Sequence, residues 1–463
     1  MSDASSNART RTGLLSGRLL IWPALAGLCL GIGILVHQSR TDGSDAYAIA
    51  LDGAGKRNSD WYAAKLLGYV SVQLHADPYT RSALEDTLVA ERRGSLPGSA
   101  TVVDVALDAD GEVALVSDAV EGTGIWHLKQ DATTDRENLQ GTRGVMLDDE
   151  SGPVALSPDG RVAVAGDSAG GDITMWDLGD PDEPAKTAVR VGGYQADLLD
   201  LSLSADGKTL FAGFGNGSVE IWQLPTGTGQ QPRLLSRTRE HASGVHSLAA
   251  GDDGRLLLTV SDDAAVTWLL ADRTHPSVAT KLISAELDPG TRSWSSGALS
   301  ADGRRAIIGG AVYDLTDPRR PVRLGALPIP PEPGTSVAIS RDGSVAATVH
   351  DEPGDTSGRD PVVVWGLRDA SVPAELATLR APDSGFWRVA MSANGQVVTA
   401  GTRTDGGYSW LLPAFRNGLI RDACVGAGLI RPDPEYWKTI SGAPRPDLLD
   451  DEPFAICPRL DEK

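Results

Sequence analysis

The sequence predicts an all-β fold, a closed β-propeller of seven four-stranded blades, and two recurring features predict it. The first is a hairpin turn, Asp-Gly or Asn-Gly, whose residues tolerate the positive φ that tight turns between strands require. The second is an apolar strand that ends with an aromatic residue and, two positions later, Leu. Successive turn glycines lie 40 to 52 residues apart, the period of a propeller blade. The seven turns are Asp110-Gly111, Asp159-Gly160, Asp206-Gly207, Asp253-Gly254, Asp302-Gly303, Asp342-Gly343 and Asn394-Gly395.

The third unit shows why one blade needs its neighbours. Residues 219–222 alternate apolar and polar side chains, as a strand with one buried face does. A single small sheet cannot cover both of its faces, whereas radially stacked sheets cover one another. We therefore expect the aromatic endings to stabilise the contacts between blades. Six of the endings contain Trp: Trp126, Trp176, Trp222, Trp268, Trp365 and Trp410.

The second unit carries a family resemblance. Its Ser157-Pro158-Asp159-Gly160 turn and its Met175-Trp176-Asp177-Leu178 ending resemble a WD repeat, and the other six units are degenerate versions of it. In WD repeats a His bridges to an Asp in a later turn and to the Trp. His241, Asp263 and Trp268 match those three positions. The resemblance implies a seven-bladed WD-repeat-like propeller over residues 94–415.

An uncharged stretch near the N-terminus predicts one transmembrane helix over residues 19–36. Eighteen such residues just span a bilayer and exceed most secretory signal cores. Residues 1–18 contain Arg9, Arg11 and Arg18, whereas Arg40 alone follows closely after the stretch. By the positive-inside rule, residues 1–18 form a cytoplasmic tail and the propeller lies outside the cytoplasm. This topology predicts a single-pass protein of the cell membrane.

Two segments separate the span from the ring. Residues 37–60 are rich in Gly, Ser, Asp and Ala and predict a flexible linker. Residues 61–93 predict a pair of short helices, broken at Asp77-Pro78. The run from Tyr69 through residues 77–84 resembles the segment before the propeller in actinobacterial STAND-type NTPase proteins with WD repeats. That resemblance implies that residues 89–96 supply the outermost strand of the last blade.

Residues 416–463 predict a short helical C-terminal tail that contains Cys424 and Cys457. If the tail lies in an oxidising space, these residues form a candidate structural disulfide; two free thiols are the alternative. The tail also resembles that of the STAND-type proteins. No Gly-x-x-x-x-Gly-Lys-Ser/Thr motif occurs, so the sequence lacks the phosphate loop of their NTPase half.

The sequence favours binding over catalysis. Its formal charge of −20 argues against a nucleic-acid partner, which needs a basic surface. No catalytic, metal-binding or cofactor-binding motif occurs, so we expect no catalytic residues and no cofactor. The sequence therefore predicts a non-catalytic, membrane-anchored scaffold that binds a protein or peptide on one face of the ring. Two alternatives stay open: a cytoplasmic signalling scaffold, and a hydrolase or lyase with its active site in the channel.

Overall fold

The computed structural model describes most of the propeller and part of the segment before it. The predicted span 19–36 and the tail 416–463 lie outside the described residues, as do Cys424, Cys457 and residues 350–358, which lengthen the sixth sequence repeat. Among the described residues, no helix is both long and apolar enough to cross a bilayer. The described residues are 45–52, 61–75, 80, 93–98, 101–131, 138–148, 151–168, 171–180, 183–186, 196–225, 230–252, 254–283, 296–329, 336–349, 360–380, 385–404 and 406–412.

Seven antiparallel sheets of four strands each form a closed ring, which confirms the predicted architecture. In each sheet the first strand in the sequence lies nearest the central channel, except that β1 joins the last sheet as its outer strand. Every innermost strand contacts the innermost strands of the two neighbouring blades, and the seventh contacts the first.

The first three blades follow one another along the chain. From the channel outward, blade 1 has β2 (Val102–Leu107), β3 (Val113–Asp118), β4 (Gly122–Asp131) and β5 (Asn138–Asp148); blade 2 has β6 (Val154–Leu156), β7 (Val162–Gly166), β8 (Ile173–Asp177) and β9 (Ala185–Lys186); blade 3 has β10 (Leu198–Leu203), β11 (Thr209–Phe214), β12 (Val219–Gln223) and β13 (Arg233–Thr238).

The other four blades complete the ring. Blade 4 has β14 (Val245–Ala250), β15 (Leu256–Ser261), β16 (Ala264–Leu269) and β17 (Ser277–Ile283); blade 5 has β18 (Gly297–Leu299), β19 (Arg305–Ile308), β20 (Ala311–Asp314) and β21 (Val322–Ala326); blade 6 has β22 (Ser336–Ile339), β23 (Val345–Val349), β24 (Val362–Gly366) and β25 (Ala374–Leu379); blade 7 has β26 (Phe386–Met391), β27 (Val397–Thr402), β28 (Gly406–Leu411) and β1 (Arg93–Pro97).

The apolar core is divided into seven clusters, one at each junction between neighbouring blades. Each cluster contains the repeat aromatic residue of the later blade, packed against the face of the earlier blade. Trp268, for example, joins Phe211 and Ile221 of blade 3 to Val245 and Leu257 of blade 4. The aromatic endings therefore fill the space between blades, and Tyr313 does so in blade 5.

An N-terminal strand closes the ring, as the sequence predicts. Strand β1 pairs antiparallel with β28, with Arg93 opposite Trp410. Leu96 of β1 is buried with Val102 and Trp126 of blade 1. Gly406 approaches the β1 backbone so closely, at φ +83°, that a Cβ atom there would lie 2.2 Å from the Leu96 carbonyl oxygen. The strand starts at Arg93, so residue 93 belongs to the propeller and not to the helical segment predicted over residues 61–93.

Among the described residues before the ring, two continuous stretches are helical. Helix α1 covers residues 45–52, and helix α2, Trp61–Leu74, lies within the segment predicted to form a pair of short helices. The rings of Tyr47 and His75 meet edge to face, with their centroids 6.0 Å apart. Residues 45–52 fall in the segment predicted as a flexible linker. That part of the segment is helical instead, because Ala46, Ile49 and Ala50 give the helix an apolar face that is buried.

Candidate binding site at the mouth of the channel

One structurally equivalent position recurs in all seven blades at the channel. The residue seven positions before each turn glycine lies at the start of an innermost strand or just before it. We call these seven residues the mouth ring. They are Asp104, Pro153, Asp200, Ser247, Ser296, Ser336 and Arg388, from blade 1 to blade 7.

Backbone register places the mouth ring. In four blades the pairing of the innermost strand shifts by one residue just before the ring position, for example between Val102 and Asp104 and between Phe386 and Arg388. The same shift occurs before Asp200 and before Ser247. Such β-bulges re-aim the following side chain, and here they set equivalent residues at equivalent places around the channel.

The mouth ring lines a cavity of about 640 Å³. All seven residues except Pro153 are polar, and all seven contribute to its wall. Asp197 and His246 add two further titratable groups to the wall. The cavity therefore combines carboxylates, hydroxyls and one guanidinium at the end of the channel where the innermost strands begin.

Side chains of the mouth ring bind the backbone of the next blade. The Val154 amide donates to Asp104 Oδ2 over 2.9 Å, and the Leu248 amide donates to Asp200 Oδ2 over 2.6 Å. The Val389 amide likewise donates to Ser336 Oγ over 3.2 Å. These bonds satisfy backbone groups on the channel edge of the innermost strands, where no further strand is available.

Asp104 and Asp200 each lie in the blade that comes after one whose mouth-ring side chain cannot accept a hydrogen bond. Pro153 precedes Asp200 in ring order, and Arg388 precedes Asp104. Because Pro153 offers the Leu201 amide no acceptor, this amide donates to Oδ1 of the adjacent Asp200 over 2.8 Å. Asp104 also accepts the amide of the residue that follows it. Arg388 bonds in the opposite sense, since its Nε donates to the Val103 carbonyl oxygen over 3.1 Å.

The electrostatics of the mouth are dominated by the two carboxyls. Burial and the neighbouring charge of Asp104 raise the pKa of Asp200 to about 8, although backbone hydrogen bonds and Arg388 oppose the shift. Burial also raises the pKa of Asp104, against the attraction of Arg388. The Nε of Arg388 lies 4.0 Å from Asp104 Oδ1, beyond hydrogen-bond distance.

The opposite end of the channel is organised by the hairpin turns. Neighbouring turns are joined by backbone hydrogen bonds, such as Ala109 N–H to the Pro158 carbonyl and Ala393 N–H to the Ala109 carbonyl, each over 2.9 Å. Four turn carboxylates accept a hydrogen bond from a serine of their own turn, those of Asp159, Asp206, Asp302 and Asp342. These bonds stabilise the hairpin turns, and the candidate site is the cavity at the other end of the channel.

The three WD-type positions of blade 4 belong to one buried network, linked through hydroxyls. Nδ1 of His241 lies 2.7 Å from Ser261 Oγ, and Nε2 lies 2.8 Å from Thr259 Oγ1. Trp268 Nε1 donates to Thr259 Oγ1 over 2.9 Å, and Ser261 Oγ donates to Asp263 Oδ1 over 2.8 Å. Burial lowers the pKa of His241 to about 4, so its ring stays neutral at neutral pH.

The other repeat tryptophans differ in their polar partners. Trp365 donates to Thr348 Oγ1 over 2.9 Å, as Trp268 does to its threonine. Trp222 donates instead to Glu220 Oε2, and burial raises the pKa of that carboxyl to about 7. Trp126, Trp176 and Trp410 are almost fully buried at their blade junctions. All six contribute to packing, and none lines the cavity.

Sequence reasoning missed the mouth ring. The sequence contains a signal for it, since each member stands seven positions before a turn glycine. That signal becomes visible only when all seven repeats are aligned on this glycine. Among the described residues, no group of three or more His, Cys, Asp or Glu side chains could hold a metal ion.

Comparisons with known proteins bear on the repeats. The family described as "WD domain, G-beta repeat" matches residues 232–268. This match starts just before β13 and ends at Trp268, so it includes the His241 network rather than the Trp176-Asp177 unit that resembles a WD repeat most in sequence. The family match and the seven blades support a WD-repeat β-propeller.

Two curated proteins are similar to parts of this chain. The WD repeat-containing protein SL1-17 of Schistosoma mansoni is 29% identical over 168 residues, which cover 36% of this chain and 49% of that protein. Centriole proteome protein 16 of Chlamydomonas reinhardtii is 28% identical over 208 residues, which cover 42% of this chain and 9% of that protein. The chain thus matches half or less of the length of each relative.

Proposed function

We propose that this chain is a membrane-anchored scaffold whose propeller binds a protein or peptide partner at the mouth ring, outside the cytoplasm. WD-repeat propellers are typically non-catalytic protein-interaction scaffolds, and one of the two relatives is a WD repeat-containing protein. The observation that carries the proposal is the cavity, because polar mouth-ring side chains from six of the seven blades surround a concave space.

The proposed anchor rests on the sequence. Residues 19–36 contain no charge, and the arginines before them outnumber the single arginine after them. The propeller then lies on the side of the membrane away from residues 1–18. A rigid ring at the end of a short connection would present its mouth to partners in that compartment.

A blocked mouth is expected to abolish partner capture. Ser296→Arg places a long cationic side chain in the cavity, whereas Val322→Arg places the same side chain on the outer strand of the same blade, where Val322 is exposed. Crosslinking in intact cells, followed by affinity purification and quantitative mass spectrometry, measures the partners. We expect Ser296→Arg to lose at least about 90% of a specific partner, equivalent to more than 1.4 kcal/mol of affinity, and Val322→Arg to retain it.

Equal capture by both variants and the unmodified chain would exclude the mouth as the docking site. Loss by both variants would place the docking site on the outer surface of blade 5 or indicate misfolding. Thermal unfolding of the purified variants separates those two results.

The proposed topology predicts protease access and a disulfide. External protease should digest the propeller in wall-free intact cells, because the domain lies outside the cytoplasm. In the same compartment, Cys424 and Cys457 should pair, which non-reducing peptide mass spectrometry detects. Protection from protease together with free thiols at both positions would instead favour the cytoplasmic scaffold.

A further inference from the structure

We propose that the mouth ring binds an alkylammonium group, an ammonium ion at the end of an unbranched aliphatic chain, through Asp200 and Asp104. This inference rests on the proposed function, because it names the chemical group that a partner would insert into the cavity. The group could belong to a lysine side chain of a protein partner or to a free aliphatic amine.

The shape of the channel below the mouth ring suits a thin, unbranched chain. Side chains two positions apart in a strand lie on the same side, and the residues two positions after the mouth ring are all small. Ala249 and Ala298 of this second ring also line the cavity. Small side chains in every blade leave room for methylene groups. The second ring consists of Ala106, Ala155, Ser202, Ala249, Ala298, Ala338 and Ala390.

The carboxyl of Asp200 has acceptor capacity that the described residues do not use. Each of its oxygens accepts one backbone amide, from Leu201 and from Leu248. A carboxylate oxygen has two lone pairs, so each oxygen can accept a further hydrogen bond. An ammonium group carries three N–H donors and can bond to such oxygens without displacing either amide.

The charge of the mouth favours a cation. Arg388 is the only Lys or Arg in the described wall of the cavity, against Asp104, Asp197 and Asp200. Its Nε is engaged by the Val103 carbonyl. The mutual repulsion of Asp104 and Asp200 contributes to the raised pKa of Asp200, so a bound cation would relieve that repulsion and favour release of the proton. Nε2 of His246, also in the wall, lies 3.4 Å from Asp262 Oδ2.

The mouth-ring residues of blades 4 to 6 are uncharged polar side chains. Ser247, Ser296 and Ser336 supply hydroxyls in three successive blades, and Ser247 Oγ already donates to the Gly297 carbonyl over 2.8 Å. A ligand with a single cationic end would therefore orient toward blades 1 to 3. An anionic ligand would meet the aspartates and is not expected to bind.

Isothermal titration calorimetry of the full-length chain with hexylamine tests the inference. Hexan-1-ol and hexanoate are the matched probes, because they keep the aliphatic chain and replace the ammonium by a neutral or an anionic group. We expect hexylamine to bind at least about tenfold more tightly than either, since it alone brings a cationic donor to the carboxylates. Equal binding of hexan-1-ol would overturn the inference.

Three variants connect binding to named residues. Asp200→Asn should weaken hexylamine binding at least about tenfold, whereas Val322→Ala, on the exposed outer strand of blade 5 and away from the cavity, should leave it unchanged. Arg388→Gln keeps a donor for the Val103 carbonyl and removes the positive charge, so it should strengthen binding. Unchanged affinity in both Asp200→Asn and Arg388→Gln would overturn the inference. Because one variant should weaken binding and the other strengthen it, a general loss of folding cannot produce both results.

Peptide probes distinguish the two sources of the amine. If the group is a lysine side chain, Gly-Gly-Lys-Gly-Gly should bind more tightly than hexylamine, and its norleucine counterpart should not bind. If hexylamine binds and the lysine peptide does not, the alkylammonium site stands while docking of a peptide at the mouth fails. If partner capture depends on the mouth but no amine binds, the proposed function stands and this inference is wrong.

Discussion

Replacement of Leu96 by Asp is expected to open the ring. Leu96 is 1% exposed and packs in the cluster that joins the last blade to the first. A carboxylate there would be buried without a partner, and loss of the leucine contacts alone costs about 2–5 kcal/mol. Detachment of β1 would expose the edge of β28, which is a template for intermolecular pairing. We expect a fall in the unfolding midpoint and the appearance of aggregates in size-exclusion chromatography.

Ser95→Asp is the matched control, because Ser95 is the neighbouring residue of the same strand and its side chain is exposed. This variant should stay monodisperse and keep its unfolding midpoint. A Leu96→Asp protein that behaves like the Ser95→Asp protein would show that β1 does not hold the ring closed in solution.

Replacement of Trp268 by Ala is expected to cost about 3–5 kcal/mol of unfolding free energy, the range for large buried aromatic residues. Trp268 is 2% exposed, fills the junction between blades 3 and 4, and donates to Thr259. Loss of the Trp268 side chain leaves a cavity and removes one hydrogen-bond partner of the buried Thr259 hydroxyl. Urea unfolding followed by circular dichroism measures the change.

Trp222→Ala provides the comparison at the same repeat position. Trp222 is only partly buried, so less apolar surface returns to water and the expected loss is smaller, below about 3 kcal/mol. A Trp222→Ala loss equal to or greater than that of Trp268→Ala would contradict the view that burial at the junction sets the contribution of each repeat aromatic residue.

The fold was predictable because each blade repeats a local signal. A turn such as Asp206-Gly207 fixes a hairpin through residues that are adjacent in sequence, and the period then counts the blades. Helix α1, at residues 45–52, was not predictable on composition, because the Gly, Ser and Asp around it indicate a linker and its few apolar residues gain stability only from packing. The strand at β1 was anticipated from a family resemblance rather than from its own residues.

The candidate binding site and the His241 network were much less accessible to sequence reasoning. The positions of His241, Asp263 and Trp268 could be matched by resemblance, but Thr259 and Ser261, which link them, are identified only by contacts across strands. The mouth ring poses the same problem on a larger scale. Its members are about one repeat apart in the chain and become neighbours only when the ring closes.

The pairing of β1 with β28 also sets an order of events during synthesis. Arg93 leaves the ribosome 317 residues before its partner Trp410 (410 − 93 = 317). At about 5–20 residues per second, this interval is roughly 15–60 s. During that time the first strand made must wait without its partner, and closure of so long a loop is slow even afterwards. Pairing of the earliest strand with the latest therefore cannot precede synthesis of the last blade, and until then the edge that β1 presents is open to pairing with other chains.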